Sequence, residues 1–100
     1  MAQALAEVGA YDDLVAALRA RAEALNVSRE TLDEVAGLPS RYSSKLLSPN
    51  PIRSLGRVSL GAMPGALGVK LVVMKDGEAM EKIRSRLVKR TRHRSGVQAP

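Results

Sequence analysis

The chain contains no cysteine, no phenylalanine and no tryptophan, and its aromatic residues are Tyr11 and Tyr42. Without cysteine, disulfides and thiolate metal sites are excluded, and nothing calls for an oxidising compartment. Without large aromatic side chains the core must consist of Leu, Val, Ala, Ile and Met, which favours a small helical bundle over a β-sandwich or barrel. A length of 100 residues suits one domain with one core.

Long apolar runs are also missing, because Lys70 interrupts the best candidate for a membrane span. The first residues lack the basic and apolar segments of a signal peptide. No group of acids has the spacing of a general acid/base pair, and His93 has neither a Cys nor a second His with which to bind a metal. We therefore expect a cytoplasmic protein that is not an enzyme, with no cofactor, metal or membrane partner.

Charge is divided unequally along the chain, which carries a net charge of +6. Residues 1–40 contain three basic and seven acidic residues, whereas residues 41–100 contain thirteen basic and three acidic ones. Such segregation indicates that one half faces a polyanion. Nucleic acid is the first expectation, and an anionic membrane surface or an acidic protein is the alternative.

The first helix is predicted from Tyr11 to Leu25, after a flexible lead-in at residues 1–10. Apolar residues recur there at helical spacing, and Asn26 marks the end. The side chains expected to face the core are Leu14, Val15, Leu18, Ala22 and Leu25.

Two short helices joined by a tight turn are predicted next. Ser28 is a suitable N-cap for a helix that ends near Val35. Gly37 interrupts the helical spacing, and Pro39 suits the first position of a third helix that runs to about Leu47. Two short helices around a glycine are typical of a helix-turn-helix. Their inward side chains are expected to be Leu32, Val35, Tyr42, Leu46 and Leu47.

A loop at residues 48–51 precedes a fourth helix, for which Ser59 is the predicted N-cap and Gly68 the stop. Pro64 lies inside this helix, so the helix is predicted to be either kinked or broken there.

A short strand and a basic helix are predicted towards the C-terminal end. Leu71–Met74 has the apolar character of a strand, and a final helix runs from Glu78 to about Arg92. Because no second strand is visible, the strand is expected to pair with its own copy in a homodimer. Residues 95–100 are expected to be disordered. The narrow apolar stripe of the final helix consists of Met80, Ile83 and Leu87.

Several short motifs between residues 28 and 71 occur in a fixed order. They are Leu32, Ala36-Gly37-Leu38, Ser44-Lys45-Leu46, Ser59-Leu60 and Ala66-Leu67-Gly68-Val69. In this order they resemble the lambda-repressor-like helix-turn-helix family, also called the xenobiotic-response-element type. The resemblance implies a mainly α bundle of four to five short helices over residues 11–69, with DNA-binding activity. Residues 70–94 would then form an arm, with a strand and a basic helix, for dimerisation or DNA-backbone contact.

Two positions depart from the family pattern. Asp33 stands where alanine is usual, and Ser43 stands where a buried aliphatic residue is usual. Both changes are expected to weaken the packing of the second helix against the third, and Tyr42 is expected to replace the missing apolar area.

The resemblance places base-reading side chains at Ser40, Arg41, Ser44 and Lys45, where Arg and Lys can donate to guanine. Basic and polar residues elsewhere are expected to contact the DNA backbone. These residues are Arg29, Asn50, Arg53, Arg57, Lys82, Arg86, Lys89 and Arg90.

The expected function is that of a sequence-specific double-stranded DNA-binding transcriptional regulator, a repressor or autoregulator, which associates with the nucleoid when bound to DNA. The alternative is the antitoxin of a toxin–antitoxin pair, which would bind a toxin protein and its own operator. A binder of RNA or single strands is disfavoured, because such proteins stack bases on aromatic side chains and this chain has two.

Overall fold

The computed structural model describes residues 3–87, which form a mainly helical structure. The helices are α1 (Tyr11–Ala24), α2 (Arg29–Ala36), α3 (Tyr42–Leu46), α4 (Arg57–Ala66) and α5 (Gly77–Ile83), followed by a 3-10 turn at Arg84–Arg86. The predicted helical class is confirmed. The predictions for residues 95–100, for Lys89 and Arg90 and for the last turns of the basic helix lie outside the described residues. No helix among the described residues is long and apolar enough to span a membrane.

One apolar core lies between the first four helices and the chain that joins them. Its fully buried side chains are Val15, Leu18, Ala22, Leu32, Leu46, Leu47, Met63 and Leu67. The expected aliphatic composition is confirmed, and Tyr42 packs against this core from its edge. Two side chains that were predicted to face the core do not. Leu25 lies past the end of α1, and Val35 is 65% exposed. The buried face of α2 passes through Leu32 and Asp33, so that Val35 points away from the core.

Three of the helices end in the same way. One or two residues after the last helical residue the backbone is left-handed, and the apolar residue that follows donates its amide to a carbonyl near the end of the helix and packs against the core. This is the Schellman motif, which needs a residue that tolerates a positive φ. The left-handed residues are Asn26, Gly37 and Gly68, with φ of 55°, 70° and 69°. The predicted stops at these positions are confirmed.

Gly37 and Gly61 are expected to respond oppositely to alanine, although neither has an atom within 4 Å of an added Cβ. Gly37→Ala should lower the free energy of unfolding by about 1–2 kcal/mol, because its φ is +70°. Gly61→Ala should raise it by about 0.5–1 kcal/mol, since Gly61 lies inside α4. Urea unfolding followed by circular dichroism measures both. Equal shifts of the two midpoints would contradict the left-handed turn.

α4 begins earlier than predicted and is not broken. Its N-cap is Gly56, and Ser59 lies in its first turn, where the Ser59 Oγ accepts the Gly56 amide at 2.8 Å. The predicted N-cap at Ser59 was therefore wrong by one turn. The helix continues past Pro64 to Ala66. Because Pro64 lies close to the end of the helix, its missing amide removes one hydrogen bond of the last turns.

The chain beyond the core forms an arm, residues 70–87, in which every residue is exposed. Leu71–Met74 is neither helix nor strand, so the predicted strand is absent from the described residues. A strand requires a neighbouring backbone to complete its hydrogen bonds, and the described part of this chain offers none to it. α5 begins at Gly77 and is followed by the 3-10 turn from Arg84, so a regular α-helix does not continue through Arg86 as predicted.

Candidate nucleic-acid interface

α3 has five residues, too few for a helix to be stable by itself. Its position therefore depends on contacts with its neighbours. Ser43 and Leu46 are buried on its inner side, while Ser44 is exposed and Lys45 is half-buried.

The N-terminal end of α3 is held by a carboxylate of α2. Asp33 Oδ1 accepts the backbone amide of Ser43 at 2.9 Å, and both residues are buried. That amide belongs to the first turn of α3, where amides lack a partner within the helix and where a negative charge suits the helix dipole. The two positions that depart from the lambda-repressor-like pattern are thus linked through the main chain of Ser43, without its hydroxyl. Asp33 Oδ2 and Ser43 Oγ are buried without a hydrogen-bond partner in the described residues.

The C-terminal end of α3 is held by a guanidinium of α1. Arg19 donates from Nε to the Leu47 carbonyl at 2.7 Å and from Nη2 to the Ser48 carbonyl at 2.9 Å. A positive charge suits this end of the helix dipole, and the fork of donors fits two adjacent carbonyls. α3 therefore has a charge of the favourable sign at each end.

Arg21 contacts the C-terminal end of α4 in the same way, since its Nε donates to the Leu67 carbonyl at 2.9 Å.

The contacts of Arg19 and Arg21 with the helix ends were not predicted from the sequence. The available signal was the presence of two arginines on one helix, Arg19 and Arg21, in the acidic part of the chain.

Both tyrosines fasten the loop between α3 and α4. The Tyr42 hydroxyl donates to the Ser54 carbonyl at 2.5 Å and lies 2.7 Å from Ser59 Oγ. The Tyr11 hydroxyl accepts the Leu55 amide at 2.8 Å. The contacts at Ser54 and Leu55 fix the chain between Arg53 and Arg57, two of the candidate backbone contacts.

A turn precedes α3 where the sequence predicted its first helical residues. The Tyr42 amide donates to the Pro39 carbonyl at 3.1 Å, which closes a turn through Ser40 and Arg41. Arg41 has a left-handed backbone with φ of 68°, so the helix can begin only at Tyr42. The predicted start at Pro39 was wrong, and Ser40 and Arg41 lie on the turn and not on the helix. A positive φ costs about 1–2 kcal/mol in a residue other than glycine.

The structure brings most of the predicted base-reading residues to one short, exposed segment. Ser40, Arg41 and Ser44 are exposed, and Lys45 is half-buried. The Ser44 hydroxyl donates to the Arg41 carbonyl at 2.9 Å, which leaves its oxygen free to accept. The Lys45 carbonyl accepts the Ile52 amide at 3.1 Å and so ties the following loop to α3.

The predicted backbone contacts lie in three places among the described residues. Asn50, Arg53 and Arg57 are exposed on or after the loop tied to α3. Arg29, at the start of α2, is half-buried and lies 3.8 Å from Glu23. Lys82 and Arg86 are exposed on the arm.

Acidic residues are absent from residues 35–75, which include all of α3, the loop and α4. Every charged residue in this stretch is basic, and each additional cation strengthens attraction to a polyanion. The basic residues are Arg41, Lys45, Arg53, Arg57, Lys70 and Lys75.

Comparison of the chain with models of known protein families, with curated proteins and with solved structures finds no match.

Proposed function

We propose that the chain is a sequence-specific double-stranded DNA-binding transcriptional regulator of the lambda-repressor-like type, acting in the cytoplasm on the nucleoid. In this proposal α2, the following turn and α3 form a helix-turn-helix, and α3 enters the major groove. The observation that carries the proposal is the exposed segment of Ser40, Arg41 and Ser44, supported by a helix that Asp33 and Arg19 hold at both ends.

Arg41 and Lys45 are suited to donate to guanine, and Ser44 can accept or donate at several bases. Arg53 and Arg57, with Asn50, are suited to phosphate contacts that fix the register of the protein on the duplex. Arg29 is placed at a helix start and is a weaker phosphate ligand because Glu23 competes for it. Lys82 and Arg86 of the arm, with Lys89 and Arg90, are proposed to add backbone contacts whose strength falls with salt.

The backbone at Arg41 supports a role in recognition. Arginine occupies a left-handed position that glycine would occupy with less strain. Residues held in such conformations cluster at functional sites, where the side chain is needed despite the strain.

Arg41→Gly is expected to weaken binding to the preferred duplex by about 1–3 kcal/mol and binding to random duplex by less. It should not weaken the fold, because glycine relieves the positive φ at this position. The preferred duplex is first selected from a random-sequence pool at near-physiological salt. Binding is then measured by fluorescence anisotropy on both duplexes over a range of salt concentrations.

Arg53→Ala is the matched control. It should weaken binding to both duplexes about equally and reduce the slope of log affinity against log salt by about 1. Equal losses on both duplexes for Arg41→Gly would make Arg41 a phosphate contact. Failure of the pool to yield any preferred sequence would contradict the proposed function.

A further inference from the structure

The loop between α3 and α4 presents an apolar side chain to solvent. Ile52 is 75% exposed, whereas Leu55, three residues later, packs against the core. A single exposed apolar side chain is common on protein surfaces and by itself indicates no partner. Ile52 differs from such a residue because the loop around it is held in place and because its neighbours are candidate DNA contacts.

The backbone on both sides of Ile52 is constrained. The Ile52 amide donates to the Lys45 carbonyl of α3 at 3.1 Å. Pro49 and Pro51 restrict the loop further, since proline fixes φ. Arg19 and the two tyrosines hold the ends of the loop through its carbonyls and an amide. The exposure of Ile52 is therefore a property of a fixed loop, in the way that a preorganised binding surface requires.

The surroundings of Ile52 favour a polyanion as its partner. Because the Ile52 amide is bonded to the Lys45 carbonyl, the Cα atoms of the two residues are about 5.5 Å apart. Arg53 follows Ile52 directly, and residues 35–75 contain no acid. An apolar patch on another protein is a poorer occupant, because covering Ile52 with it would also desolvate these two cations.

We propose that Ile52 contacts the C5-methyl group of a thymine in the major groove, close to the guanine that Lys45 reads. The separation of Ile52 from Lys45 corresponds to less than two base steps of about 3.4 Å. The thymine methyl is the apolar group that base pairs present in the major groove, whereas a G·C pair offers polar groups there. Packing the methyl against Ile52 removes both apolar surfaces from water, so the contact selects thymine.

This inference rests on the proposed function and deepens it. It adds a residue that determines specificity through an apolar contact, next to side chains that read bases through hydrogen bonds. It also names the base that this residue selects. The selected duplex should therefore carry a thymine within about two base pairs of a guanine, since Ile52 lies beside Lys45.

Replacement of thymine by deoxyuridine tests the contact, because this change removes the methyl group and nothing else. The probe is the duplex selected from the random-sequence pool at near-physiological salt. Each thymine near the guanine is replaced in turn, and fluorescence anisotropy measures the dissociation constant. For the wild type, one of these replacements should raise the dissociation constant about threefold to fivefold, as expected for one buried methyl group.

Ile52→Ala should abolish this dependence on the methyl group. Its dissociation constants on the thymine and deoxyuridine duplexes should be about equal, because the two changes remove the same contact. Val35→Ala is the matched control, since Val35 is a β-branched residue that is 65% exposed on α2, outside the candidate contacts. It should keep the dependence of the wild type. Circular dichroism checks that both variants remain folded, as expected for exposed positions.

The outcomes separate this proposal from the proposed function. A pool that yields no preferred sequence overturns both. A preferred duplex without such a thymine, or one on which no thymine methyl affects binding, overturns the contact of Ile52 alone. The same holds if Ile52→Ala depends on the methyl group as strongly as the wild type does.

Discussion

Replacing Arg19 with alanine is expected to lower the free energy of unfolding by about 2–3 kcal/mol and to abolish discrimination between DNA sequences. Arg19 satisfies the carbonyls of Leu47 and Ser48, and hydrogen bonds with a charged partner contribute about 1.5–3 kcal/mol. The loss falls on α3, which is too short to keep its position without such contacts. Urea unfolding gives the stability, and anisotropy on preferred and random duplexes gives the discrimination.

Two further variants separate the effect of the Arg19 hydrogen bonds from the effects of its charge and of losing a half-buried arginine. Arg19→Lys keeps the positive charge but not the fork of donors, so it should lose about half as much stability. Arg29→Ala removes another half-buried arginine, whose ion pair with the exposed Glu23 spans 3.8 Å, and should change stability by less than about 1 kcal/mol. If Arg19→Ala unfolds at the same urea concentration as Arg29→Ala, the contact with α3 does not hold the helix.

The features that local sequence determines were predictable. Ser28 accepts the Thr31 amide at 3.0 Å and caps α2 as predicted. Asn26, Gly37 and Gly68 end their helices because a positive φ is least costly for Asn and Gly. Each of these features depends on a few neighbouring residues, so one short window of sequence contains all the information that is needed.

The features that depend on distant residues were not predictable in the same way. Arg19 meets Leu47 across 28 residues of chain, and Tyr11 meets Leu55 across 44. The strand at Leu71–Met74 was predicted from composition, but a strand also requires a partner backbone. The left-handed turn at Arg41 has no glycine or asparagine to signal it, so the sequence predicts a start of α3 at Pro39 instead of Tyr42.

The candidate interface contains one feature that the sequence predicted and one that it did not. The sequence correctly indicated that Ser40, Arg41 and Ser44 are exposed. It did not show that Asp33 and Ser43 are partners, because each was compared with a family pattern separately. Asp33 accepts the backbone amide of Ser43, and the two side chains share one buried contact between α2 and α3, in which the Ser43 hydroxyl takes no part.

Asp33 and Ser43 are therefore expected to behave as a coupled pair. Asp33→Ala should lower the free energy of unfolding by about 1–3 kcal/mol, because the buried Ser43 amide loses its acceptor. Ser43→Leu should cost about as much, since Ser43 is 0% exposed and the added side chain must fit beside a buried carboxylate. The double variant places the leucine side chain next to an alanine, so the leucine no longer lies beside a buried carboxylate.

The coupling is measured as a double-mutant cycle by urea unfolding. The double variant should be more stable than the sum of the single effects predicts, by about 1 kcal/mol or more, as expected for residues in direct contact. Asp33→Asn serves as the control, because its amide oxygen can still accept from Ser43 and only the charge is lost. Asp33→Asn should lower the free energy of unfolding less than Asp33→Ala or Ser43→Leu does. Strictly additive effects would mean that Asp33 and Ser43 are tolerated separately. A negligible cost for Asp33→Ala would mean that the position of α3 depends on Arg19 and the apolar contacts of Leu46 and Leu47, and not on its link to α2.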